Sequence, residues 1–277
     1  MARQYLVTLL TDFGSAEAYP AAMKGVILRR CGRANIVDIS HDIPPHDVLS
    51  AAYVLAGAAP WFPPGTVHVI VVDPGVGTDR KILVGKFAGQ TYVFPDNGVI
   101  TMIAEAAPAE QLVAVRNPQF LPRGPISSTF HGRDVFAPIA AELLKGMSLA
   151  RLGPQPDTFK LLDLPPCEEA DGEIRGQVVH VDSFGNLITN IHEQVVGRHW
   201  PDLDGFHGFC AAADVGPLQG AYGFVEPGKA LMLINSASLI EVAVNRGRAS
   251  DVLGAAVGTP VRLAAATQPP PPPLPPG

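Results

Sequence analysis

Up to about residue 150 the chain alternates short apolar runs, rich in Val, Ile and Leu, with longer stretches of helical spacing. Residues 5–10 predict a strand, followed by a polar loop and a helix over 18–30. A second strand is expected at 36–39, and a second helix at 48–58 after the Pro44-Pro45 stop. Residues 67–72 read Val-His-Val-Ile-Val-Val, nearly continuous apolar sequence, as a parallel strand covered on both faces requires. Shorter strands at 82–84 and 91–94 and helices at 98–106 and 134–144 complete the series. This alternation predicts an α/β N-terminal domain with a mostly parallel sheet. After Gly172 the texture changes. Strands at 176–182, 187–191, 208–212, 230–234, 239–244 and 260–263 are separated by Gly, Asn and Asp turns, which predicts a small antiparallel all-β domain, a sandwich or a barrel. The expected organisation is an α/β domain at 1–152, a linker at 153–171, the β domain at 172–267 and a disordered proline-rich tail at 268–277.

Composition narrows the function classes. The 277 residues carry 20 Lys+Arg against 26 Asp+Glu, a net charge of −6, with no basic cluster. A protein that binds nucleic acid through its phosphates needs concentrated positive charge, so that class is excluded. An apolar fraction of 47% is too high for a disordered chain, yet no run approaches the ~20 apolar residues of a membrane span. The first ten residues lack the long apolar core of a signal peptide, so a cytoplasmic location is expected. Three cysteines without CxxC spacing indicate neither a disulfide framework nor a thiolate zinc site. Seven of the 28 prolines crowd into the last nine residues, a polyproline segment that builds no core.

Polar residues gather where the predicted strands end, which is where open α/β sheets bind ligands. Asp12, after the first strand, offers two acceptor oxygens to a pair of ribose hydroxyls, or serves an Asx turn. Asp73 and Arg80 bracket a Pro/Gly loop, Asp-Pro-Gly-Val-Gly-Thr-Asp-Arg, that fits neither a P-loop nor a dinucleotide fingerprint. A surface turn with solvated Asp79 and Arg80 is the plain alternative. His131 stands beside Gly132, open to a ligand, and Asp134 is positioned to cap the helix that follows. In the second domain Asp182, Phe184 and Asn186 mark a turn that also supplies an aromatic face and an amide able to read a base edge. Ser236 and Glu241 follow at another strand end. His41 and His46 suggest a metal pair, but two prolines between them prevent helical i, i+4 geometry and no further ligands join them.

In order along the chain, TDFG (11–14), ISHDIPPHDV (39–48), VVDPGVGTDR (71–80), PDNGV (95–99), STFHGRDVFAP (128–138), DSFGNLITNI (182–191) and INSASLIEVAVNRG (234–247) resemble the S-adenosyl-L-methionine hydroxide adenosyltransferase family, related to fluorinase and chlorinase. The resemblance spans residues 5 to 263. It implies an N-terminal α/β domain, a C-terminal β-barrel and a homotrimer with the substrate between subunits. It implies attack of water or hydroxide on the 5′ carbon of S-adenosylmethionine, releasing adenosine and L-methionine, without metal or cofactor. By resemblance Asp73, Arg80 and His131 are the catalytic set and Asp12 holds the ribose. Phe130, Phe184 and Asn186 match adenine-pocket positions, Asp182 and Ser236 match positions that hold the methionine ammonium and carboxylate, and Glu241 and Val244 line the pocket, with Tyr222 a further wall. Gly132 stands at the family's halide-binding serine position, which argues against a halide-using transferase. A nucleoside-binding protein that has lost turnover, and a metal hydrolase, complete the range of functions compatible with these residues.

Overall fold

Leu6–Thr11 (β1) is buried from Val7 onward, because its alternate side chains enter two different apolar layers. It belongs to the first of two units, Met1–Leu162 and Asp163–Gly277, in a computed structural model that describes residues 5–117, 119 and 125–266. The elements that follow are Tyr19–Arg30 (α1), Asn35–Ser40 (β2), Val48–Ala58 (α2), Val67–Val71 (β3), Ile82–Phe87 (β4), Gln90–Pro95 (β5), Thr101–Ala106 (α3), Ala109–Ala114 (β6) and Ala137–Leu144 (α4). The sheet runs β2-β1-β3-β5-β4-β6. Val7, Leu9, Val69 and Val71 pack with Met23 and Ile27 of α1 and with Ile139 and Ala140 of α4. On the opposite face Leu10, Ile70 and Val72 pack with Leu55 of α2 and Ile103 of α3.

The sheet is mixed, which corrects the expectation of a mostly parallel one in detail. β2, β1, β3 and β5 are parallel, whereas β4 runs against both β5 and β6. The reversal comes from a two-residue connection, Ala88-Gly89, with φ of 47° and 75°. Two left-handed residues make a primed hairpin turn, and a link that short cannot supply a parallel crossover. The helix expected at 134–144 starts with a π-helical turn, Gly132–Phe136, before α4 takes over. Asp134 is not its cap. Its carboxylate accepts from Ser127 N at 2.9 Å and pairs with Arg133.

The second unit contains Glu168–Ala170 (β7), Glu173–Val181 (β8), Leu187–His192 (β9), Glu193–His199 (α5), Phe206–Cys210 (β10), Ala213–Gly216 (β11), Ala230–Ile234 (β12), Leu239–Val244 (β13), Ala249–Val252 (α6) and Pro260–Ala265 (β14). Its strands form one antiparallel sheet ordered β11-β10-β14-β8-β9-β13-β12, with β7 added beside β8. Leu218, just past β11, bridges to Met232 of β12, so the sheet nearly closes on itself as a barrel. Ile174, Leu187, Phe206, Met232, Val242 and Leu263 fill the interior. β7 falls inside the segment read as a linker. The tail at 268–277 lies outside the described residues. No helix among the described residues is long and apolar enough to cross a membrane.

His68, the second residue of β3, is fully buried, stacks on Tyr92 at 4.8 Å and shares a 2.7 Å hydrogen bond with Thr8. Burial lowers its pKa to about 4. The unfolded chain takes up this proton near the ordinary 6.5 and the folded chain only near 4, so stability is full above that upper value and falls with pH across the window. The expected loss is about 3 kcal/mol between those limits. Thermal melts from pH 7 to pH 4 should show it, and His68→Gln should flatten that slope. An unchanged slope in the variant would assign the acid sensitivity elsewhere.

Candidate active site

Strand direction assembles the polar cluster of the first unit. Asp12 follows the carboxyl end of β1 and Asp73 that of β3. Because β4 is reversed, its amino end lies at the same edge, and Arg80 enters there two residues before the strand starts. The Arg80 guanidinium clasps the carboxylate through Nε, at 2.9 and 3.0 Å from the two oxygens of Asp73, and through Nη2. Their side chains are only 8% and 4% exposed. The solvated surface turn is thereby ruled out for Arg80.

The same Nη2 reaches Nδ1 of His131 at 2.8 Å. A guanidinium can only donate, so Nδ1 is the acceptor and the neutral ring carries its hydrogen on Nε2. Burial first, then the Arg80 charge, hold the His131 pKa below the ordinary value, with Asp73 and Asp134 partly offsetting them. His131 therefore stays neutral at neutral pH.

A pocket of about 310 Å³ in this unit is lined by Asp12, Tyr19, His46, Asp73, Phe130 and His131, among others. Asp12 Oδ2 accepts from the backbone N–H of His46 at 2.9 Å, which ties β1 to the 39–48 loop. Phe13, Tyr19 and Phe130 form an aromatic wall with ring centroids 5.0 to 5.8 Å apart. Phe13 is a member that sequence reasoning missed, because an aromatic after a strand is indistinguishable from a core residue. Gly132 is packed rather than merely permissive. A Cβ there would lie 3.0 Å from Met23 Sδ and 3.3 Å from Phe130. His41 is committed elsewhere, to Thr11 at 2.9 Å and Asp38 at 3.1 Å. Among the described residues no three His, Cys, Asp or Glu side chains are grouped to hold a metal ion.

The second unit has its own pocket of about 590 Å³, lined by Phe184, Asn186, Tyr222, Val244, Arg246 and Arg248 with Ser183 and Gly247. Phe184 is 74% exposed on the turn between β8 and β9. That turn needs Gly185, whose φ is +81° and where a Cβ would lie 2.7 Å from Arg248 Cβ. Asp182 holds the turn but does not line the pocket. Tyr222 donates to Glu241 Oε1 at 2.7 Å. Burial and the neighbouring Asp182 charge push Glu241 up, partly offset by hydrogen bonds from Tyr222 and Asn235. Burial and the Glu241 contact push Tyr222 up to about 12. Ser236 is exposed on the turn from β12 to β13 and is not among the lining residues. Arg246 and Arg248 were not singled out from sequence. Their only signal was the Asn245-Arg246-Gly247 turn at a strand end.

Residues 7–153 match the SAM hydroxide adenosyltransferase N-terminal domain, and residues 176–262 match the C-terminal domain of the same family. The chain belongs to the SAM hydroxide adenosyltransferase family. A relative from Thermus thermophilus, named (R)-S-adenosyl-L-methionine hydrolase, is 39% identical over 93% of this chain and 98% of its own length. One of the same name from Salinispora arenicola is 36% identical over 96% and 100%. The crystal structure of an uncharacterized conserved protein from Thermotoga maritima superposes with a TM-score of 0.87 at 36% identity, covering 93% of this chain and 99% of that one. Similarity to a fluorinase from an Actinoplanes species is lower, 27% over 68% of this chain and 72% of the other.

In this member of the family Asp73→Ala leaves a nearly buried guanidinium without its carboxylate. The expected cost is about 3–5 kcal/mol in denaturant titrations. Asp73→Ala combined with Arg80→Met should cost less than the sum of the two single changes, since the double variant leaves no orphaned charge. Strict additivity would mean that the pair contributes no coupling.

Proposed function

We propose that the chain hydrolyses S-adenosyl-L-methionine to adenosine and L-methionine, by in-line attack of water on the 5′ carbon. The observation that carries this reading is the Asp73–Arg80–His131 hydrogen-bonded row, whose Asp73 and His131 line one pocket while Arg80 bridges them, in a chain whose relatives are named for that hydrolysis. The electrons of the C–S bond leave on sulfur, turning a sulfonium into a neutral thioether. A leaving group of that quality needs neither a general acid nor a Lewis acid, so no metal and no cofactor enters the reaction. Catalysis reduces to holding a water in line and receiving its proton.

The tautomer sets the roles. With its Nδ1 lone pair engaged by Arg80, His131 meets the water as a donor through Nε2–H. It fixes the oxygen rather than deprotonating it. As the C–O bond forms, that oxygen becomes an oxonium, far more acidic than any carboxylic acid. An arginine-paired carboxylate is then base enough, and Asp73 lines the pocket to receive the proton. Arg80 orients both partners. Gly132 supports water over halide as nucleophile, because the position lacks the serine hydroxyl and a side chain there would crowd Met23 and Phe130. The intact row speaks against a binding protein without turnover.

Asp12 is assigned to the ribose hydroxyls, and Phe184 with Asn186 to adenine. The ribose pocket of one subunit and the adenine pocket of its neighbour combine in a homotrimer. The exposure of Phe184 and of Phe224, 74% and 70%, supports burial against another copy. Three free cysteines and an intracellular cosubstrate fit a cytoplasmic enzyme.

Chromatography of purified protein with S-adenosylmethionine tests the reaction: adenosine and methionine should appear in equal amounts, unchanged by exhaustive chelation. His131→Asn, which keeps a donor, should retain at least ~10-fold more kcat than His131→Ala. Equal loss in both variants would make His131 the base. Activity should fall on the acid side only below the ordinary histidine range, and Arg80→Met should move that limb to higher pH by removing the charge that lowers it.

A further inference from the structure

The turn that carries Phe184 and Asn186 is organised by a single carboxylate. Asp182 Oδ1 accepts the backbone N–H groups of Phe184 and Asn186, both at 2.9 Å. Its Oδ2 accepts from the Asn186 side-chain Nδ2 at 3.0 Å. Asp182 N–H closes the loop onto the Asn186 carbonyl at 3.1 Å. An ionised carboxylate has no hydrogen to give, so the end of the Asn186 amide that meets it must be the NH2. The orientation of that amide is thereby fixed by chemistry. Its Oδ1 is left as the free end, on a residue that is only 7% exposed and lines the pocket. No described residue donates to that oxygen.

We propose that Asp182 is a positioning residue for base selection, locking Asn186 so that the pocket presents one acceptor and thereby selects a 6-amino purine over a 6-oxo purine. This rests on the assignment of Asn186 to the adenine ring. The remaining charged groups lining the pocket, Arg246 and Arg248, are donors only. An acceptor beside donors matches adenine, whose exocyclic amine donates next to ring nitrogens that accept. Hypoxanthine presents the reverse on that edge, a carbonyl beside an N–H. The carboxylate that resemblance assigns to the methionine ammonium thus already has its hydrogen bonds within its own turn.

The consequence is a sign change that one substitution should produce. In Asp182→Asn the new side chain still accepts the two backbone N–H groups through its oxygen, and its NH2 now faces Asn186. That forces the Asn186 amide to turn over and present its own NH2 to the pocket. Calorimetric titration of the full-length protein with adenosine and inosine reads this directly, because neither nucleoside carries a methionine ammonium. The wild type should prefer adenosine by roughly 10- to 100-fold, the size of one buried hydrogen bond made or left unpaired. In Asp182→Asn that ratio should fall at least ~10-fold or invert, with the thermal midpoint near that of the wild type.

An unchanged ratio in the variant would overturn the proposal. So would a selective loss of S-adenosylmethionine binding relative to its desamino analogue, which would return Asp182 to the ammonium. If the variant does not fold, the wild-type series adenosine, unsubstituted purine riboside and inosine carries the test. Affinity should decline in that order, and inosine binding as tightly as adenosine would overturn the proposal. Nucleoside binding needs no turnover, so a protein that shows this preference but does not cleave S-adenosylmethionine would refute the hydrolase reading and leave the base-selection device standing.

Discussion

The nearly buried ion pair between Asp73 and Arg80 is the constraint on which the first unit's site depends. Two charges with side chains 4% and 8% exposed are tolerated only because the guanidinium fork matches the carboxylate in a bidentate clasp. One edge of the guanidinium is spent on Asp73, and its remaining Nη2 hydrogen decides the protonation pattern of His131. His131 thus borders a pair that is neutral as a whole, which suits the proposed reaction, whose substrate brings its own positive charge.

Much of the architecture was legible in the residues. The apolar run at 67–72 identified the central strand, and the change of texture after Gly172 separated the two folds. The reversal of β4 was not legible, because Ala88-Gly89 is a weak hairpin signal. Alanine rarely accepts a positive φ, and only the surrounding strands impose it. The π turn at Gly132–Phe136 was missed for a related reason: local spacing there reads as ordinary helix, and nothing in it marks an extra residue. β7 was hidden inside a proline-rich stretch, where three residues pair with β8 without any periodicity of their own.

The site shows the same division. Residue types after the predicted strands offered Asp12, Asp73 and Arg80, a loop before a helix offered His131, and the family resemblance grouped the last three as a catalytic set. Which atom of His131 is free is a matter of three dimensions, since Arg80 is 51 residues away. In the second unit the sequence offered Asp182 as a ligand, and the fold shows that its carboxylate also accepts three hydrogen bonds within its own turn. Short polar side chains after a strand have both uses, and only the count of available backbone donors tells them apart.

The reversed strand also bears on the order of assembly. Asp73 and Arg80 are seven residues apart, so their contact closes a short loop, and loop-closure entropy is lowest for such local contacts. His131 and Phe136, whose ring faces the Arg80 guanidinium, come from far along the chain. The two charges can thus meet while water still surrounds them. A site whose two charged groups are seven residues apart can neutralise them at a small loop-closure cost, independent of the long-range packing.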